Sequence, residues 1–177
     1  MKILFAARLT DFKDPLTFIK TSTLMQKHQF IVAGSGKLMT KCREEAGSNV
    51  KFLGWVTQTE VNQLMDECQI FCQLSPFENI WSSSLVGAMK HKMAIICTDV
   101  GYTRLYLQNM FNVLLIPSRN PKQLMLAIRK LVKDERLRFY LGENASLYVK
   151  ERMCCGNILK SIELLVHSIV RKESVIK

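Results

Sequence analysis

The sequence has 177 residues, of which 48% are hydrophobic and 23% are charged, a balance typical of one globular domain and unlike that of a disordered chain. No apolar run approaches the roughly 20 residues of a membrane-spanning helix, and Arg8 follows the first apolar run too closely for a signal peptide. We therefore expect a soluble, cytoplasmic protein. The net charge of +10 calls for an anionic partner: a nucleotide diphosphate, nucleic acid or acidic lipid headgroups.

Short apolar runs alternate with longer amphipathic stretches along the chain, which is the pattern of βαβ units around a parallel sheet. The predicted strands are residues 2–7, 29–33, 50–56, 69–74, 93–98 and 112–116. They predict an α/β fold with a doubly wound, Rossmann-like, six-stranded parallel sheet in the order 3-2-1-4-5-6, flanked by helices. In such a sheet a ligand binds at the carboxyl ends of the strands, so the turns after the strands should carry the function.

Helices are predicted between these strands and after them. Residues 14–27 form the first helix, with Pro15 in its first turn and an apolar face of Leu16, Ile19, Thr23 and Leu24. A capping box from Thr57 to Glu60 begins a helix that runs to about Cys68. The remaining predicted helices cover residues 82–92, 120–133, 135–141 and 143–153, with a last one that begins at Asn157.

Two classes of site are disfavoured by the way residues are spread. The basic residues form no arginine-rich run with interleaved aromatics, so no nucleic-acid partner is expected. The six cysteines are scattered; Cys68 and Cys72 could sit one turn apart on a helix, but no second Cys/His pair stands at zinc spacing. We interpret them as reduced, small buried hydrophobic residues.

Two turns after predicted strands carry candidate binding residues. Arg8 and Lys13 follow the first strand and precede a helix, where two cations and free amides can bind an anion; the alternative is a solvated basic loop. Gly34 and Gly36 follow the second strand and let the backbone approach a ligand, with Lys37 beginning the next helix; the alternative is a plain tight turn. This glycine pair lacks the third glycine of a dinucleotide fingerprint.

Six segments, taken in order, resemble the landmarks of the C-terminal lobe of family 4 (group 1) retaining glycosyltransferases, which have the two-lobed GT-B fold. The resemblance covers about residues 2 to 155. The segments are Ala7-Arg8-Leu9 with Lys13, Val32-Ala33-Gly34-Ser35-Gly36, Asn49-Val50-Lys51-Phe52-Leu53-Gly54, Thr98-Asp99-Val100-Gly101, Asn112-Val113-Leu114-Leu115-Ile116-Pro117 and Leu141-Gly142-Glu143-Asn144-Ala145.

The resemblance implies a nucleotide diphosphate sugar as substrate, bound without a divalent metal or other cofactor. By its pattern, Arg8 and Lys13 hold the donor diphosphate, and the glycine turn lines the same cleft. The nucleobase would lie near Trp55; we expect an ordinary buried aromatic there, with stacking on the base as the alternative.

The sequence departs from the family pattern after the fourth strand, where members carry a Glu-x7-Glu motif that contacts the donor sugar and the ribose. Gly87 stands at the second position of this motif and Asn79 at the first; Glu78 fits the first position, close to the donor sugar, only with one inserted residue. Ser82 and Ser83 are candidates to bind the ribose instead.

The resemblance also implies an N-terminal, acceptor-binding lobe that this chain does not contain. Residues 1–156 would be the nucleotide-sugar-binding domain, and residues 157–177 a helix and tail that pack toward that second lobe. The chain alone is expected to bind donor without transferring sugar, and peripheral contact with an anionic membrane is a further expectation. The alternatives are a degenerate, non-catalytic lobe that acts as the partner of another chain and an epimerase of the same two-lobed fold.

Overall fold

A computed structural model describes residues 1–77 and 82–152. Its centre is one sheet of six parallel strands. The strands are β1 (Lys2–Ala6), β2 (Gln29–Ala33), β3 (Val50–Gly54), β4 (Ile70–Gln73), β5 (Ala94–Thr98) and β6 (Leu114–Ile116). Each predicted strand is present, and its ends differ from the predicted ones by two residues at most.

Helices connect the strands and continue after the last one. They are α1 (Pro15–Thr23), α2 (Met39–Glu45), α3 (Gln58–Glu67), α4 (Ser83–Lys90), α5 (Pro121–Lys133) and α6 (Glu135–Arg152), and a 3-10 turn covers Thr103–Leu105. The capping box predicted for α3 is confirmed, since the Thr57 side chain accepts from the Glu60 amide and the Glu60 carboxylate accepts from the Thr57 amide. The helix predicted from Asn157 lies outside the described residues.

The strand order is β3-β2-β1-β4-β5-β6, which confirms the predicted doubly wound, Rossmann-like fold. Two apolar clusters fill the two sides of the sheet. The first joins α1, α2 and α5 to the sheet, and the second joins α3, α4 and most of α6. Within residues 1–77 and 82–152, no helix combines the length and the apolar character needed to cross a membrane.

The buried face of α1 differs from the predicted one. Ile19 is buried, but Thr23 and Leu24 are exposed, and the centre of the face is Phe18. The Phe18 ring lies 5.5 Å from Phe5 and 5.0 Å from Phe30, so strands β1 and β2 decide which side of the helix is buried. The predicted face was wrong because packing against these strands buries the side of α1 that carries Phe18 and Ser22, which leaves Thr23 exposed; Leu24 lies beyond the last helical residue.

The two helices predicted for residues 135–141 and 143–153 are a single helix, α6. Gly142 does not break it. A Cβ atom at Gly142 would lie 2.0 Å from the Lys92 carbonyl oxygen, so the missing side chain lets α6 contact the backbone that enters β5. The glycine marks a close approach of two backbones, which sequence periodicity alone does not distinguish from a helix end.

Candidate functional site

The turns after β1 and β2 run side by side at the carboxyl edge of the sheet. The Ala7 amide donates to the Ala33 carbonyl at 3.0 Å, and the Leu9 amide donates to the Ser35 carbonyl at 2.9 Å. The Leu38 amide in turn donates to the Leu9 carbonyl at 3.0 Å. These backbone bonds hold Arg8 beside the glycine turn, and the Arg8 side chain is exposed.

Gly34 and Gly36 allow this close approach of the two turns. A Cβ atom at Gly34, whose φ is +135°, would lie 2.0 Å from the Ala7 carbonyl oxygen. A Cβ atom at Gly36 would lie 2.5 Å from the Leu9 carbonyl oxygen. The missing side chains at Gly34 and Gly36 therefore make room for the backbone of residues 7–9, which includes Arg8.

Lys13 lies close to Arg8, at the end of the same turn. Burial lowers the pKa of the Lys13 ammonium, and the nearby positive charge of Arg8 lowers it further. The turn is closed by the Lys13 amide, which donates to the Thr10 carbonyl at 2.9 Å. An anion bound between these two cations would relieve both unfavourable effects.

Helix α1 begins directly after Lys13. Its N-cap is Asp14, which has a left-handed backbone with φ of 49° and whose carboxylate accepts from the Thr17 amide at 3.3 Å and the Thr17 hydroxyl at 2.6 Å. Burial raises the pKa of Asp14, and the two Thr17 hydrogen bonds partly oppose that rise. The Asp14 carboxylate is thus engaged by its own helix.

A stack of four side chains joins the loops after β1, β4 and β6. The Lys13 ammonium lies 5.6 Å from the Phe12 ring centre, Phe12 stacks on Phe77 at 5.4 Å, and the Arg119 guanidinium lies 5.7 Å from the Phe77 ring centre. We call this group the cation–aromatic stack. Arg119 was not predicted from the sequence, because its left-handed backbone, with φ of 53°, has no sequence signature in a non-glycine residue.

Lys37 forms an ion pair with the turn after β1. Its ammonium pairs with the Asp11 carboxylate at 2.5 Å, and both side chains are exposed. This partnership lowers the pKa of Asp11. The helix predicted to begin at Lys37 begins two residues later, at Met39, with Leu38 as its N-cap.

Trp55 is 76% exposed, so the expectation of a buried aromatic is wrong. Strand β3 ends one residue earlier at Gly54, whose φ of 72° turns the chain away from the sheet. The Gly54 carbonyl accepts from the Gly34 amide at 2.6 Å, which places Trp55 next to the glycine turn.

Ser82 and Ser83 lie at the beginning of α4, after β4. Ser82 is the N-cap, and its hydroxyl oxygen accepts from the Leu85 amide at 3.1 Å. Ser83 is the first helical residue and is exposed. Glu78 and Asn79, the two candidates for contact with the donor sugar, lie outside the described residues.

Gly87 faces a neighbouring helix. A Cβ atom built on it would lie 3.1 Å from the sulfur and 3.2 Å from the methyl carbon of Met65 on α3. The space beside this position is therefore occupied by an apolar side chain.

Four of the six cysteines lie in the described residues and all four are buried and unpaired: Cys42, Cys68, Cys72 and Cys97. This confirms their interpretation as small hydrophobic residues. Burial raises the pKa of both Cys42 and Cys68 to about 11, so their thiols stay protonated. In the part of the chain that the structure describes, no three His, Cys, Asp or Glu side chains form a group that could hold a metal.

The strand order defines a doubly wound, Rossmann-like domain, and glycine turns and cations lie at its carboxyl edge. Comparison with known proteins identifies the family. The family model described as "Glycosyl transferases group 1" matches residues 1–134, and the chain belongs to this family.

Two curated relatives match nearly the whole chain. A glycosyltransferase of Methanocaldococcus jannaschii is 25% identical over 179 residues, covering 96% of this chain and 46% of the relative. The N,N'-diacetylbacillosaminyl-diphospho-undecaprenol alpha-1,3-N-acetylgalactosaminyltransferase of Campylobacter jejuni is 24% identical over 174 residues, covering 94% of this chain and 46% of the relative. The chain therefore spans about half the length of the curated relatives it matches.

Solved structures of two-lobed glycosyltransferases share the fold. Anabaena HepE, solved in complex with UDP and glucose, is 18% identical with a TM-score of 0.82, covering 94% of this chain and 48% of that chain. The C-terminal domain of the group 1 glycosyl transferase LpcC from Francisella tularensis is 18% identical with a TM-score of 0.76, covering 87% of this chain and 86% of that chain. The chain thus has the fold of one lobe of these enzymes.

Proposed function

We propose that this chain is the donor-binding half of a retaining glycosyltransferase and that it binds a nucleotide diphosphate sugar at the carboxyl edge of its sheet. The observation that carries the proposal is the position of Arg8 and Lys13 beside the Gly34 turn, in a chain of the group 1 family. Related support comes from HepE, which has the same fold and was solved with UDP and glucose.

The two cations match the chemistry of a diphosphate leaving group. A guanidinium can contact two phosphate oxygens at once, and an ammonium adds a compact second charge. As the bond to the sugar breaks, negative charge grows on the diphosphate, and Arg8 and Lys13 would stabilise it in place of a divalent metal. The unfavourable burial of Lys13 in the free chain is consistent with a place for an anion.

The remaining candidate residues surround these cations. Gly34 and Gly36 allow the turn that carries Arg8 to lie against the glycine turn, and the Lys37 ammonium pairs with Asp11 of the Arg8 turn. The exposed Trp55 ring is free to stack on the nucleobase. Ser82 and Ser83 are proposed to contact the ribose, and Glu78 or Asn79 the donor sugar.

The acceptor is proposed to bind on a second lobe, toward which residues 157–177 would pack. A transferase must enclose donor and acceptor together and exclude water, and these 177 residues supply the donor wall. The chain alone would then bind donor and transfer no sugar. Peripheral contact with an anionic membrane belongs to the same proposal, and one relative is named for a diphospho-undecaprenol substrate.

The test is the affinity of the chain for UDP, measured by calorimetry, with and without the Arg8 side chain. Arg8→Ala is expected to weaken binding about tenfold or more, because a charge-assisted contact contributes on the order of 1.5–3 kcal/mol. Since Arg8 is exposed, the melting temperature should change little. Lys90→Ala, which removes an exposed cation from the last turn of α4, is the matched control and should bind as the unchanged chain does. Equal UDP affinity in the two variants would contradict the assignment of Arg8.

A further inference from the structure

Helices α1 and α5 lie side by side on one side of the sheet. The Thr21 hydroxyl donates to the Pro121 carbonyl at 3.2 Å, and Arg129 shares a shallow groove with residues 23–28 at the end of α1. The outward side chains of residues 15–28 and 121–133 form one surface, which we call the basic face. Its exposed charged and apolar members are Lys20, Leu24, Lys27, Lys122, Leu126, Arg129, Lys130 and Lys133, and the neutral polar side chains of Thr23, Gln26 and Gln123 are exposed among them.

The basic face contains six cations and no acidic residue of its own, although the chain has 15 aspartates and glutamates. One carboxylate reaches it from outside, since Glu45 of α2 lies 3.8 Å from the Lys20 ammonium. For the other five cations, no carboxylate of residues 1–77 or 82–152 lies within ion-pair distance. Most of this positive charge is therefore open to an external anion.

The helices on the other side of the sheet have a mixed charge. Helix α3 carries Glu60, Asp66 and Glu67 and has no lysine or arginine, whereas α4 carries Lys90 and α6 has four cations beside three glutamates. The net charge of +10 is thus spread unevenly, and the electrostatic field should orient the domain with α1 and α5 toward a negative surface.

Two leucines stand among the cations. Leu24 is 48% exposed and Leu126 is 50% exposed. On α5 the positions of Lys122, Leu126, Arg129 and Lys133 recur at helical spacing and share the ridge opposite the buried Leu124, Ile128 and Leu131. An apolar residue between outward cations is the arrangement of a helix that lies at a lipid surface.

We propose that the basic face binds the surface of an anionic membrane, with the cations on lipid phosphates and the two leucines at the headgroup boundary. The two exposed leucines favour a lipid surface over a nucleic acid as the partner, because bases stack on aromatic rings whereas acyl chains accept aliphatic side chains. This surface is separate from the carboxyl edge of the sheet, for which nucleotide binding is proposed.

The test is co-sedimentation of the full 177-residue chain with vesicles. Vesicles of neutral phosphatidylcholine are compared with vesicles in which about a third of the lipid is anionic phosphatidylglycerol. We expect binding to the anionic vesicles alone, and a decline of that binding as salt is raised. Each cation near the surface should contribute about fivefold to the binding constant, so Arg129→Glu with Lys133→Glu should reduce binding by more than about 25-fold.

Two controls keep the result specific. Lys90→Glu with Lys150→Glu makes the same change in net charge at exposed positions outside the basic face and should keep most of the binding. Leu126→Ser leaves the charge unchanged and should weaken vesicle binding severalfold while leaving binding to a DNA duplex as it was.

Three outcomes would overturn the proposal: no binding to anionic vesicles, equal losses in the two charge-reversed variants, or a Leu126→Ser variant that binds vesicles like the unchanged chain. The last outcome, with equal affinity for a DNA duplex and for vesicles, would identify a general anion-binding surface. UDP binding, measured in parallel, should be the same in all these variants, so failure of this proposal is distinguishable from failure of the proposed function.

Discussion

The chain presents positive charge in two contrasting settings, the carboxyl edge of the sheet and the basic face. At the carboxyl edge, Lys13 is partly buried beside Arg8, and backbone bonds hold the turns around them. On the basic face, six exposed cations project from α1, α5 and the turn that follows α1. The first setting fixes the position of two charges and suits one compact anion, whereas the second spreads charge over an area and suits an extended anionic surface.

The largest expected effect comes from breaking the scaffold of the carboxyl edge. Gly34→Ala would place a methyl group against the Ala7 carbonyl and force a strained φ, at a cost of about 3 kcal/mol in the free energy of unfolding. Gly54→Ala is the control, because the φ of Gly54 is also left-handed but nothing lies within 4 Å of the added carbon. The control variant should lose about 1 kcal/mol of unfolding free energy. Denaturant titration measures both, and equal losses would mean that backbone strain, and not the contact with Ala7, makes glycine necessary at residue 34.

A smaller effect should distinguish Lys13 from a freely exposed lysine. Its pKa is lowered in the free chain, and a diphosphate binds the protonated form, so affinity is complete below this pKa and is lost as the pH rises through it. We expect UDP affinity to begin falling at a pH below the ordinary lysine pKa of 10.5. The total loss should be at least about fivefold. Calorimetry across this pH range measures the change, and Lys13→Arg should abolish it because arginine stays charged. A pH dependence that persists in Lys13→Arg would assign it to another group.

The smallest expected effect concerns the stability of the basic face. Leu126→Ser should change the free energy of unfolding by no more than about 0.5 kcal/mol, because half of this side chain is already exposed. Thermal melting of the variant checks this directly. A melting temperature lower by several degrees would show that Leu126 stabilises the fold, and would contradict its assignment to a binding surface.

The strands and their order could be predicted because a parallel sheet buried on both sides requires apolar runs that the sequence displays plainly. The crossovers between them follow a nearly invariant handedness, which leaves few possible orders. The capping box at Thr57 was equally predictable, since both of its partners lie within one helical turn.

The errors arose where contacts between distant residues decide the structure. Gly142 looks like a helix end until Lys92 is placed against it, and Phe18 becomes the centre of its helix face only when Phe5 and Phe30 surround it. At the candidate site, the adjacency of Arg8 and Gly34 follows from the strand order. The cation–aromatic stack does not, because it joins loops more than 40 residues apart through left-handed turns that have no sequence signal.

The junction between β1 and β4 has a consequence for the order of folding. Pairs of neighbouring strands elsewhere in the sheet are joined by one short crossover, but β1 and β4 are separated by more than 60 residues and share two registered pairs, Ile3 with Ile70 and Leu4 with Phe71. The five pairs between β1 and β2 form a far more local contact. Closing the longer loop costs more chain entropy, so the first three strands and the last three are expected to assemble as separate cooperative units that join late. The proposed donor site lies across this seam, with Arg8 on one unit and Ser82 on the other, so it would be completed in the last step of folding.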